Sequence, residues 1–129
     1  MKYYALSIVI ALCHLGAGCS SNREQAKPNL LTLSSPKYMV KVNHPCPEGC
    51  VSCNRIKVSI YNTTTKKSVT GVAKTQHSIG TSKTPGAFLG YTLIQKDFVY
   101  WITPNLNGWS MRIINQSSKG IGIHHLEEK

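Results

Sequence analysis

The chain predicts an all-β fold, a small antiparallel β-sandwich or barrel of six to seven short strands that follows a cleaved N-terminal segment. Three observations carry this. Apolar and polar residues alternate over short runs, turn residues separate the runs at regular intervals, and no helical period is visible after the first eighteen residues. Many short strands with turn signals between them pack as sheet on sheet or as a sheet closed on itself.

Taken in order, Tyr38 to Val42 is the first β-rich run. Arg55 to Asn62 alternates cleanly, with Ile56, Val58 and Ile60 on one side and Lys57, Ser59 and Tyr61 on the other, so one face is expected to be buried. Asn62 to Lys67 reads as a polar turn and Ser68 to Thr75 as a weaker strand. Thr84-Pro85-Gly86 marks a tight turn before the strand Phe88 to Ile94. A break at Gln95, Lys96 and Asp97 precedes Phe98-Val99-Tyr100-Trp101-Ile102, the strongest strand signal in the chain. Pro104 to Gly108 is expected to end it, and Asn107-Gly108 is a favoured hairpin dipeptide. Ser110 to Asn115 and Gly120 to His125 complete the set. No internal repeat is visible.

With 129 residues, 41% of them hydrophobic and 16% charged, the chain has room for one small folded domain. Fifteen Lys and Arg stand against five Asp and Glu. Such a field favours anionic surfaces, whether lipid headgroups, cell-wall polymers or an acidic protein. The cations are spread singly, only Lys66 and Lys67 adjoin, and no nucleic-acid motif accompanies them, so the partner is not expected to be nucleic acid.

The N-terminus has the three parts of an export signal: Lys2 as the positive start, a mostly apolar run from Tyr3 to Leu15, and small residues at Gly16, Ala17 and Gly18. The apolar run is too short to span a bilayer, which takes about twenty residues. Leu15-Gly16-Ala17-Gly18-Cys19 resembles the lipobox of bacterial lipoproteins. That resemblance implies cleavage before Cys19, a diacylglyceryl group and an acylated amino terminus on Cys19, and, with Ser20 rather than Asp next, the outer membrane as destination. The pattern departs from the family at Gly16, where a branched aliphatic is usual, and in carrying His14 inside the apolar run. Domain limits follow: signal peptide 1–18, lipidated N-terminus and tether 19–35, and a β-rich periplasmic domain 36–129. The sixteen tether residues Ser20 to Ser35 could extend about 50 Å. Their apolar patch at Leu30, Leu31 and Leu33 is alternatively a first strand or a docking segment.

The densest chemistry is His44-Pro45-Cys46-Pro47-Glu48-Gly49-Cys50-Val51-Ser52-Cys53. In an oxidising compartment these cysteines read first as a disulfide staple among Cys46, Cys50 and Cys53, worth about 2 kcal/mol for so short a loop. With Cys19 carrying lipid, three mature cysteines remain, so one is left over for a buried thiol or a disulfide-linked partner. Two other readings use the same residues. His44 and three cysteines are a zinc-type ligand set, but one crowded into ten residues where disulfides compete. Cys50-x-x-Cys53 matches a redox pair, but it lacks the helix that would stabilise its thiolate. No metal and no other cofactor is expected.

Nucleophile elbow, paired carboxylates and phosphate-cradling loop are all missing from the sequence, and Asp97, the one aspartate, sits in a turn signal. The expectation is a protein that is not an enzyme. His124 and His125 point to opposite faces if they lie on a strand, and read as solvated tail residues. Aromatic residues at Tyr91, Phe98, Tyr100, Trp101 and Trp109 raise the prospect of a binding surface, with Tyr100, Trp101 and Trp109 as interaction candidates. Phe98, Tyr100 and Ile102 share one face of their strand and Val99 and Trp101 the other, so both faces are apolar. Either the strand is covered on both sides or one face meets a partner.

The functional expectation is a non-enzymatic envelope lipoprotein that binds an envelope protein or complex, as an adaptor or an accessory factor of a pilus or secretion apparatus. A surface exclusion factor fits the same features. The domain also shows a faint similarity to membrane-bound lysozyme inhibitors, through Cys46, Val58-x-Ile60-Tyr61-Asn62, the Ser82 to Gly86 turn and Tyr100-Trp101. That likeness implies a periplasmic inhibitor of a foreign enzyme acting through a Ser-containing loop. The Ser–Gly spacing is longer here, no Lys-Gly follows the aromatic pair, and a strongly basic inhibitor would repel basic lysozyme.

Overall fold

The computed structural model describes residues 29–46, 55–80, 86–117 and 120–129. The predicted signal peptide, Cys19, Cys50, Cys53 and the Thr84-Pro85 part of the tight turn all lie outside the described residues. Eight strands follow in chain order: β1 (Asn29–Ser34), β2 (Tyr38–His44), β3 (Ile56–Asn62), β4 (Lys67–His77), β5 (Phe88–Ile94), β6 (Phe98–Asn105), β7 (Gly108–Asn115) and β8 (Ile121–Glu128). Each pairs antiparallel with the next, and β1 pairs with β8, so the sheet closes into a barrel.

Alternation puts one side of every strand inside. Val40 and Val42, Ile56, Val58 and Ile60, Tyr91 and Leu93, Tyr100 and Ile102, with Leu33, Met111 and Leu126, are buried together as one core. A small eight-stranded barrel is just wide enough for such side chains to fill. Burying a residue such as Ile102, which retains no accessible surface, contributes about 1.5–3 kcal/mol.

The wall joins unevenly. β4 is long because it serves two neighbours: Lys67 to Ala73 pairs with β3, and Lys74 to His77 pairs with β5. The β4–β5 register shifts at Gln76/His77, beside Gly90 at φ +133°, where an added Cβ would collide with the Ile102 carbonyl oxygen. Glycine is what that backbone admits. At the other seam β1 and β8 share only Leu33↔Glu128 and Ser34↔Glu127, extended by the Lys129 N–H donating to Thr32 O at 3.0 Å.

Connections at one end are short and tied to one another. Asn62 Oδ1 accepts from the N–H groups of Thr64 and Thr65 at 2.9 and 3.0 Å, and Lys66 takes the left-handed conformation, φ 58°. Thr63 N–H donates to Lys37 O at 2.9 Å and its hydroxyl to Pro36 O at 2.8 Å, which pins the β3–β4 turn to the β1–β2 turn. Gln116 N–H donates to Asp97 O at 2.9 Å, tying the β7–β8 connection to β5–β6. This is the turn end of the barrel. The opposite, loop end holds the longer β2–β3 and β4–β5 connections, the β6–β7 hairpin and the start of β1.

All-β architecture is as expected, with eight strands rather than six to seven. The additional strand is β1, where Leu30, Leu31 and Leu33 take the first-strand alternative, so Asn29–Ser34 is part of the barrel. Only Leu33 of this strand is fully buried, and six cross-strand pairs with β2 hold it in place. Strand β6 also runs past its expected stop, through Pro104 to Asn105. Pro104 is tolerated because β5 pairing ends at Tyr91↔Ile102, so the missing N–H leaves no ladder bond unmade there. The hairpin turns at Leu106 and Asn107, one residue before the Asn107-Gly108 dipeptide; Gly108, at φ +121°, already pairs with Asn105 as the first residue of β7, and Asn105 Oδ1 accepts from Asn107 N–H at 2.8 Å.

Candidate protein-interaction face

Because the barrel is a single closed layer, the outward side of each strand is covered by nothing else among the described residues. On β5–β8 that outward side is apolar. Ile94 pairs with Val99, Val99 with Ile114 and Ile114 with Ile121, which aligns four aliphatic side chains across four strands. The next outward row is Thr92, Trp101, Arg112 and Ile123. Neighbouring strands are spaced about 4.8 Å apart and alternate residues about 7 Å, so the two rows cover a patch roughly 14 Å wide. Ile94, Ile121 and Ile123 are 60%, 62% and 55% exposed, while Val99, Trp101 and Ile114 are half-buried among their neighbours.

Polar residues bound the patch. Thr103, Ser110 and His125 form the third row, with the Thr103 and Ser110 hydroxyls 3.0 Å apart. Lys74, paired with Thr92, stands at the β4 edge. An apolar centre on this convex wall carrying one Trp and one Arg, rimmed by polar groups, has the residue types of a binding hot spot. Arg112, exposed between Trp101 and Ile123 in register, offers a fork of donors to a carboxylate.

The three interaction candidates do not come together. Trp101 belongs to the outward face. Tyr100 points inward and is buried; desolvation, with the Tyr38 phenol next to it, raises its hydroxyl above the ordinary tyrosine range. Trp109 lies near the loop end and stacks on Tyr91 with ring centroids 6.2 Å apart. Tyr91 in turn meets Phe88 at 5.1 Å, and burial raises its hydroxyl likewise. Tyr100 is thus part of the buried core and Trp109 packs partly buried against it.

Cys46 is half-buried against the core and is disulfide-bonded, with its partner outside the described residues. His124 is not a solvated tail residue. It lies on the inward side of β8, edge-on to Tyr38 with centroids 4.5 Å apart, and burial first and Lys37 second lower its pKa. His125 is exposed on the other face, as strand alternation requires.

Sequence reasoning found Trp101 and Val99 but passed over Ile94, Ile114, Ile121 and Ile123. Ile113-Ile114 gave the same two-faced signal as Val99-Tyr100-Trp101, an apolar residue on each side of one strand. Only the register shows that the outward members line up. A scan against protein-family models, a search of curated proteins and a search of solved structures each found no match for this chain.

Proposed function

We propose that this protein is a non-enzymatic envelope lipoprotein that binds another envelope protein or complex through the outward face of β5–β8. In this reading residues 1–18 are removed, lipid on Cys19 holds the chain to the outer membrane, and the barrel presents its apolar wall to the partner. The observation that carries it is the uncovered row Ile94–Val99–Ile114–Ile121 with Trp101 and Ile123 beside it. An interface core of this kind is depleted in charge and rich in large apolar groups. The excess of Lys and Arg and the single Arg112 in the patch favour an acidic partner surface.

Mass spectrometry of the protein purified from membranes, reduced and unreduced, tests the anchor. We expect a mature chain that starts at Cys19, carries acyl mass and contains an internal bridge involving Cys46. A chain retaining Met1, free in the cytosol, would overturn the reading. Chemical crosslinking followed by purification tests the adaptor role: one specific envelope complex is expected, and recovery of abundant porins alone counts against it.

A further inference from the structure

The turn end of the barrel is not filled. Its side chains leave a cavity of about 450 Å³, within the size range of small-molecule sites. Ile60, Tyr38, Phe98 and Tyr100 line its apolar part, and Lys67 and Lys96 line it from the turns above. Asp97 is also in the lining. Lys66 sits on the same turn as Lys67, and Lys37 lies on the neighbouring turn with its Nζ 5.8 Å from the Tyr38 ring centroid. Among the described residues, two lysines and one carboxylate therefore line the mouth, with Lys66 and Lys37 on the adjoining turns.

Backbone bonds tie the turns around this mouth in pairs, Thr63 N–H to Lys37 O and Gln116 N–H to Asp97 O. At the floor, burial first and Tyr38 second raise the Tyr100 hydroxyl above the ordinary tyrosine range, which further disfavours a negative charge there. His124, next to Tyr38, is disfavoured as a cation by burial and by Lys37. The charges are thus confined to the rim, where Lys67 and Lys96 outnumber Asp97, and the interior is neutral and aromatic. A bare inorganic anion would leave the floor empty, and a neutral lipid would leave the rim unpaired.

The geometry points to a binding site for a free single-chain amphipathic anion, with its carboxylate or phosphate head at Lys67 and Lys96 and its acyl or aryl body against Tyr38, Phe98 and Tyr100. This site lies on the inward side of the barrel and is separate from the outward wall proposed to bind protein. Charge-assisted bonds at the rim supply the preference for an anionic head.

The test uses the full chain carrying Cys19→Ser, so that its result is independent of lipidation. Isoleucine-methyl NMR and calorimetry would follow titration with dodecanoate, dodecyl phosphate and dodecanol. Saturable shifts at Ile60 and Ile113 are expected with both anions, and about tenfold weaker binding of dodecanol, a difference of about 1.4 kcal/mol. Lys67→Gln with Lys96→Gln should weaken dodecanoate about tenfold, whereas Lys41→Gln with Lys57→Gln, which removes equal charge from the outer wall, should not. Circular dichroism and thermal unfolding of both double variants establish that they are folded. Equal affinity for dodecanol, shifts confined to Ile94 and Ile121, or binding only to anionic phospholipid vesicles would overturn the assignment.

Discussion

The two halves of the barrel share an interior and differ on the outside. In β1–β4 the outward rows read Thr32–Lys41–Ser59–Thr70 and Ser34–Met39–Tyr61–Ser68, and the Thr70 hydroxyl donates to Ser59 Oγ at 3.3 Å. The equivalent surface of β5–β8 carries Ile94–Val99–Ile114–Ile121. Inward residues of both halves are of the same aliphatic and aromatic types and join one core. The third outward row of β1–β4, Leu30–Asn43–Lys57–Val72, holds two exposed aliphatics at its ends with polar residues between them, so no continuous apolar row forms on that half. Folding does not account for a continuous row of aliphatic side chains left in water on β5–β8, which is the observation behind the proposed interface.

The comparison can be broken first at the core. Ile56→Ala in one half and Ile102→Ala in the other should each cost about 2–5 kcal/mol in urea unfolding. A loss on one side only would mean that the halves do not share one core.

On the outside the expected effects separate. Ile94→Asp with Ile121→Asp should leave stability within about 0.5 kcal/mol. The same pair should lower affinity for the crosslinked partner by about 2 kcal/mol or more. The counterpart change Ser59→Asp should alter neither quantity. If the wall variant aggregates less yet binds its partner equally, the patch is not the interface.

The join between the halves gives the next largest effect. Gly90→Ala should destabilise by about 1–3 kcal/mol, since alanine meets both a positive φ and the Ile102 carbonyl. Unfolding unchanged from the parent would show that the β4–β5 seam relaxes freely.

The smallest effect is a pH dependence. The His124 pKa is lowered by folding, so below the ordinary value of 6.5 the unfolded chain binds more protons than the folded one. Stability contributed by neutral His124 is present above pH 6.5 and is lost as pH falls through the lowered folded value. His124→Asn should flatten that slope in unfolding curves taken between pH 7.5 and about 5; an unaltered slope would place the dependence elsewhere.

Much of this was legible in the residues. Phe88–Ile94 was read with both ends correct, and the alternation of Ile56, Val58 and Ile60 gave the buried side of β3. Those signals are local, and local periodicity is what a sequence displays. β1 was ambiguous because its strand character comes from pairing with β2, not from its own pattern, which buries one residue in six. Choosing a barrel over a sandwich was out of reach for a similar reason: it depends on two residue pairs between strands at opposite ends of the domain. The apolar outer face was half visible. Trp101 and Val99 announced a two-faced strand, but the isoleucines that complete the patch come from three other strands and meet only through register.

The most direct test places a photo-crosslinking amino acid at Val99 or Ile114, and in parallel at Lys41 or Ser59, in cells that express the protein at its natural level. The account requires one discrete adduct with an envelope protein from the β5–β8 positions and none from the β1–β4 positions. Adducts of equal yield from both walls, or no adduct from Val99 and Ile114, would contradict it.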